Sequence, residues 1–118
     1  MPRKRYEIIA STFDKKGNLI ASGMNSYRKT HPLMQHFAKL AGEHEAKTAI
    51  HAELQAMLRS KGKEVHSILV QRFDAFGNPA MSRPCASCIS MLKAFGVEEA
   101  VYTVKLLQLL QVTHHQFL

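Results

Sequence analysis

Apolar and polar residues alternate through two short runs near the start of the chain, "YEIIASTF" and "LIASGM". A period of two with β-branched residues predicts two strands. The intervening "DKKGN", whose Gly17-Asn18 pair suits positive backbone angles, predicts a hairpin turn. A polar stretch from Asn25 to Thr30 follows and reads as loop. "PLMQHFAKLAGEHEAK" then has weak helical spacing, with Pro32 fitting a helix start and Gly42 interrupting the pattern. The clearest period runs from Lys47 to Ser60, where Ile50, Leu54, Met57 and Leu58 recur at helical spacing and Lys61-Gly62-Lys63 ends the run. "HSILVQRF" is a continuous apolar strand of the kind buried on both sheet faces, and "DAFGNPAMS" reads as a loop. Pro84 then opens a helix that carries Cys85, Cys88, Leu92 and Phe95 at spacings of three and four, and Gly96 closes it. "EEAVYTV" reads as a strand and "KLLQLLQVTHHQFL" as a helix with a polar end. No repeat, linker or low-complexity tract stands out.

The order hairpin, helix, strand, helix, strand, helix predicts an α/β fold in which helices cover a mixed sheet of four to five strands, in three layers α/β/α. The 118 residues, 46% hydrophobic, suffice for one core and one domain spanning 1–118. No apolar run approaches a membrane span, and the basic start "MPRKRYEIIA" lacks the apolar stretch of a signal peptide, so a cytoplasmic protein with no membrane partner is expected. The formal charge of +7 favours anionic partners, nucleotides or nucleic acid, and serves equally as a solubilising surface.

Candidate chemistry lies in two helices. His51 and Glu53 flank the apolar stripe of the Lys47 to Ser60 helix, where a boundary histidine and a solvated glutamate would be the ordinary outcome. Cys85 and Cys88, the only cysteines, share one face in a helical first turn, where free N–H groups and the dipole favour thiolates. Two cysteines and one histidine make three zinc ligands and leave a fourth tetrahedral position for water, the arrangement of a catalytic zinc. A closed structural site would need a further ligand, and none of His31, His36, His44, His66, His114 and His115 stands at zinc-finger spacing to another ligand. A redox C-x-x-C would leave His51 and Glu53 without a role.

"HAE" followed by "PCASC" resembles the H-x-E…P-C-x-x-C signature of the zinc-dependent cytidine and deoxycytidylate deaminase superfamily. The resemblance runs from the first hairpin to about Val104, and "GMNS" around Asn25 is similar to the pocket-lining G-x-N-G segment of deoxycytidylate deaminases. It implies that His51, Cys85 and Cys88 hold Zn²⁺ while Glu53 shuttles protons. The reaction would be hydrolytic attack at C4 of cytosine with loss of ammonia.

Asn25 is the candidate for substrate positioning, because an amide both donates and accepts. Arg28, Lys29 and Arg83 are the candidates for a phosphate, and Phe73 and Phe76 for stacking on a base. Free-cytidine deaminases use a phenylalanine-glutamate pair for the ribose, and none precedes Asn25, which points away from that branch of the resemblance; the similarity of "GMNS" and the positive charge favour deoxycytidylate. A deaminase acting on cytosine or adenine in single-stranded DNA or RNA, and a zinc-stabilised domain without activity, remain the alternatives. The resemblance also implies a homo-oligomer.

Overall fold

β1 (Glu7–Phe13) folds back antiparallel on β2 (Leu19–Met24), and the turn between them is built by one aspartate. Asp14 Oδ1 accepts the N–H groups of Lys16 and Asn18 at 2.9 and 2.8 Å, and Gly17 takes a φ of +84°. The same turn recurs after β3 (Ser67–Phe73). There Asp74 Oδ1 accepts from Phe76 and Asn78 at 2.9 and 3.0 Å, Gly77 has a φ of +82°, and the two-residue strand β4 (Pro79–Ala80) pairs back on β3. The sequence carries this repeat openly as F-D-x-x-G-N, at Phe13 to Asn18 and at Phe73 to Asn78. The expectation of an unpaired loop over "DAFGNPAMS", and of a chain without repeats, is corrected on both counts: an aspartate, a left-handed glycine and an asparagine suffice to close the same hairpin twice.

The computed structural model describes residues 6–26, 30–42, 51–106 and 109–117. The remaining elements are α1 (Pro32–Leu40), α2 (Ala52–Arg59), α3 (Ala86–Ala94), β5 (Glu99–Leu106) and β6 (Leu109–Gln116). The strands form one mixed sheet in the order β2-β1-β3-β5-β6, with β4 on β3, and only β3 and β5 run parallel. The sheet thus has six strands where four to five were expected. No described helix is long and apolar enough to cross a membrane.

The sixth strand comes from the segment expected to be a helix. Leu109–Gln116 pairs antiparallel with β5 from Glu99↔Gln116 to Leu106↔Leu109. Its leucine spacing suits a helix, yet Val112 and Thr113 also suit a pleated surface, and the unpaired edge of β5 captures the segment.

One apolar cluster joins the inner face of the sheet (Ala10, Ile68, Val70, Ala100, Tyr102) to Met34 and Phe37 of α1, Leu54 and Ala56 of α2, and Cys88, Met91 and Leu92 of α3. Strand β3 is therefore buried on one face, not on both. Ile68 and Val70 are buried, whereas Leu69 is half-buried and Gln71 exposed. Leu69 shares the outer face with Ser11 and Val101, its partners in register, and none of these three is fully buried. The described helices lie together in the inner cluster, and the segment that could have formed a further helical layer extends the sheet instead.

Helix α2 is held unusually close to β2, and this contact sets the position of its first turn. A Cβ added at Gly23 would meet Ala56 N at 2.5 Å and Ala52 O at 2.8 Å, so only glycine fits. Gln55 Oε1 accepts the Met24 N–H at 2.7 Å, and Arg59 donates to Ser22 O at 3.0 Å. At the far end the buried hydroxyls of Thr12 and Ser60 pair at 2.8 Å. The helix consequently runs antiparallel to β2, with its first turn beside Met24.

Candidate active site

Two helix starts meet at the end of the sheet where β2 and β3 finish. His51 is the N-cap of α2 and Cys85 the N-cap of α3, each with extended backbone. The helical spacing had placed His51 inside the Lys47 to Ser60 helix; within the described residues α2 begins only after it, and residues 47–50 lie outside them. Cys88 lies in the first turn of α3, where N–H groups without helical partners and the dipole favour negative charge.

His51 Nδ1 lies 3.2 Å from Cys88 Sγ and 3.5 Å from Cys85 Sγ, and the three ligand atoms fall within 4.8 Å of one another. A tetrahedral zinc with ordinary bond lengths sets nitrogen and sulfur about 3.5 Å apart. The donor set, two sulfurs and an imidazole nitrogen, fits that ion in both softness and spacing.

The sulfurs are electrostatically unequal. A hydrogen bond from Cys88 pulls the Cys85 thiol down to about 4, against the opposing effect of burial and with further help from His51. Cys88, donating that bond and buried, is pushed well above the ordinary thiol range. One thiolate is therefore present before any metal arrives.

Glu53 follows His51 by two residues and is only 4% exposed. It belongs to the buried set of α2 with Ala52, Leu54 and Ala56, while Leu58, expected in the apolar stripe, is exposed. Burial raises the Glu53 carboxyl, opposed in part by its own backbone and by His51. The carboxyl is close enough to Cys88 for each to perturb the other's titration. A buried carboxyl whose affinity for protons is raised, set beside a three-ligand cluster, is placed to accept and return a proton.

The other described histidines are engaged elsewhere. His31 caps α1 by accepting from Leu33 N, His66 meets Glu98 at 2.9 Å, His114 meets Glu99 at 3.3 Å, and His115 pairs with Tyr102. His36 packs edge-on against Phe37. His44 lies outside the described residues.

Of the substrate-side candidates, Asn25 sits just past β2, at the same end of the sheet as the first turn of α2. Its Oδ1 accepts the Ile8 N–H at 2.9 Å and its Nδ2 donates to Tyr6 O at 3.4 Å. The amide thus ties the start of β1 to the end of β2. Arg83 is exposed, directly before Pro84 and Cys85, and Arg28 and Lys29 lie outside the described residues. Phe76 is 72% exposed at the tip of the second hairpin, and Phe73 is half-buried. A cavity of about 410 Å³ lined by Asp14, Lys15, Glu64, His66 and Glu98 opens at the opposite end of the sheet, away from this chemistry.

Two supporting residues escaped the sequence reading. Buried Ser82 donates through Oγ to Val70 O at 2.7 Å and accepts there from Thr103 N at 2.8 Å, while its own N–H donates to Thr103 O at 2.8 Å. It acts as a one-residue strand wedged between β3 and β5, just beyond their last direct pair, Leu69↔Val101, and fixes the approach to Cys85. A single serine before a motif gives no periodic signal. The second is Arg72, whose signal was visible: it breaks the inner-face series Ile68, Val70 with a charge.

No protein-family model matches the sequence, and no curated protein matches it significantly. Among solved structures, a glutamate-to-glutamine variant of cytidine deaminase from Mycobacterium tuberculosis aligns with TM-score 0.45 and 18% identity, over 82% of this chain and 66% of that one. Cytidine deaminase from Mycobacterium leprae aligns with TM-score 0.45 and 17% identity, over 92% of this chain and 75% of that one. The chain therefore spans about two thirds to three quarters of the length of these proteins. The likeness is distant, and the chemistry rests on the side chains themselves.

Proposed function

We propose that this protein is a zinc-dependent hydrolytic deaminase that converts a cytosine nucleotide or nucleoside, with deoxycytidylate preferred, to the uracil product and ammonia. The observation that carries this reading is the convergence of His51, Cys85 and Cys88 with a buried carboxyl, Glu53, that belongs to none of the ligand pairs. The H-x-E…P-C-x-x-C resemblance supports the same assignment.

Zinc held by His51, Cys85 and Cys88 would supply a Lewis acid that activates water. Glu53 does the proton work. It takes a proton from the attacking water, delivers it to N3 of the ring as C4 becomes tetrahedral, and later moves a second proton to the exocyclic amine, which leaves as ammonia. Its raised affinity for protons suits both halves of that task, and its exclusion from solvent keeps the proton between water and base.

Asn25 is assigned to the substrate side, together with Arg28 and Arg83. With one N–H and one lone pair committed to β1, the Asn25 amide retains a second donor hydrogen and a second lone pair for a sugar hydroxyl or base edge. A second reading, a single-stranded polynucleotide as substrate, is favoured by exposed Phe76 and the +7 charge.

Zinc-loaded protein offered deoxycytidylate, deoxycytidine and a cytosine-containing single-stranded oligodeoxynucleotide in parallel separates these readings. Turnover of deoxycytidylate is expected. Turnover of the oligonucleotide alone makes the basic surface a substrate track, and zinc binding without turnover of any cytosine or adenine substrate rejects the enzymatic reading.

A further inference from the structure

We propose that Arg72 anchors the 5′-phosphate of a cytosine mononucleotide at this site, an inference that rests on the deaminase reading above. Arg72 continues the series Ile68, Val70 along β3, so its side chain leaves the sheet on the inner, helix-bearing face. That face is otherwise apolar at these positions. A guanidinium there has to be justified by a partner.

Its surroundings hold it in place without neutralising it. The guanidinium carbon lies 3.9 Å from the centroid of the Tyr6 ring. Nε is buried and has no hydrogen-bond partner. No described carboxylate lies within ion-pair distance of Arg72, whereas His66 and His114 each have a glutamate. An arginine used only to brace the fold would be expected to hold carbonyls or an acid. This one lies over an aromatic ring instead, a contact that uses none of its N–H donors and leaves them for an acceptor such as the oxygens of a phosphate.

The register puts this cation at the end of the sheet that carries the proposed chemistry. Ile8 pairs with Arg72 on one side and is bonded to Asn25 on the other, so Asn25, Ile8 and Arg72 form one row across β2, β1 and β3. Two strand spacings separate the outer members, about 10 Å. The first turn of α2, with His51 and Glu53, begins beside Met24 at that same end. Ala80, paired with Arg72, lies on the segment that leads through Ser82 to Cys85. Asn25 and Arg72 thus bracket a width suited to a sugar and its phosphate, and neither Arg28 nor Arg83 is required for the anchor.

The test compares zinc-loaded wild type with Arg72→Gln. The ratio of kcat/KM for deoxycytidylate to kcat/KM for deoxycytidine is expected to fall about ten- to a hundred-fold, the loss of a charged hydrogen-bond pair, with partial recovery in Arg72→Lys. Zinc content and thermal melting confirm that the variants are folded. An unchanged ratio, with both substrates losing equally, overturns the assignment and makes Arg72 a structural brace. An effect confined to oligonucleotide turnover also overturns it, since the bound group would then be a diester. If neither substrate turns over, the deaminase reading fails by itself, and equilibrium binding decides the inference. Deoxycytidylate binding at least tenfold weaker in Arg72→Gln than in wild type upholds it, and equal or absent binding overturns it.

Discussion

Zinc uptake by the metal-free protein should release about one proton from the cysteine pair, not two. The structure gives the reason. Cys88 donates a hydrogen bond to Cys85, which is thereby held as a thiolate with a pKa of about 4, while Cys88 keeps its proton well above the ordinary thiol range. At pH 8 the first sulfur is already charged and the second is not. Zinc requires both as thiolates, so binding expels the Cys88 proton alone, about one per ion. Two independent thiols at the reference value of 9.0 would each be about 90% protonated at that pH and would release roughly 1.8 protons together. The count refers to the two sulfurs, and a Glu53→Gln background removes any contribution from the carboxyl. Calorimetry in two buffers of different ionisation heat reads the stoichiometry directly. A value near two would refute the shared-proton arrangement.

Ser82→Ala leaves the Val70 carbonyl and the Thr103 N–H without their buried partner, and we expect a loss of about 2 kcal/mol in stability and a melting temperature lower by about 5–10 °C, together with weaker zinc binding through Cys85. Thermal melting and zinc competition check this, and an unchanged melt would show that the wedge between β3 and β5 is dispensable. Gly23→Ala drives a methyl group into the backbone of α2, whose Ala56 N would be 2.5 Å away. It should cost about 1–3 kcal/mol and, by displacing the first turn of α2, reduce zinc affinity as well as turnover. Wild-type zinc affinity in that variant would mean the helix start is positioned by other contacts.

The features legible in the sequence were those set by short-range rules. The first hairpin, the helix start at Pro32, the stop at Gly96 and the paired motifs around His51 and Cys85 all announce themselves through turn chemistry, capping or spacing. Other features depend on what each segment meets in space. The leucines of the C-terminal segment fit helical spacing, and only the open edge of β5 decides that Leu109–Gln116 is a strand. The continuous apolar run of β3 suggests burial on both faces, but with the described helices gathered in one cluster Leu69 and Gln71 face outward. The F-D-x-x-G-N repeat is legible in the sequence, but its second copy precedes a strand of only two residues and so carries no strand periodicity to mark it as a hairpin. Glu53 reads as a flanking polar residue on a helical wheel, and it is buried because the start of α3 closes over the start of α2. Asn25 is similar: its type suggests ligand contact, and the fold also uses its amide to tie β1 to β2.

The most direct test of the central claim is to measure ammonia release from deoxycytidylate by zinc-loaded wild type and by Glu53→Gln, with zinc content determined on the same samples. Glutamine fills the same buried space but neither takes nor returns a proton. The account predicts equal zinc in the two proteins and turnover lower by at least about a thousandfold in the variant, a barrier higher by about 4 kcal/mol. A Glu53→Gln protein that holds zinc and deaminates within tenfold of wild type would contradict the account, since the one buried carboxyl beside the cluster among the described residues would then have no part in the reaction.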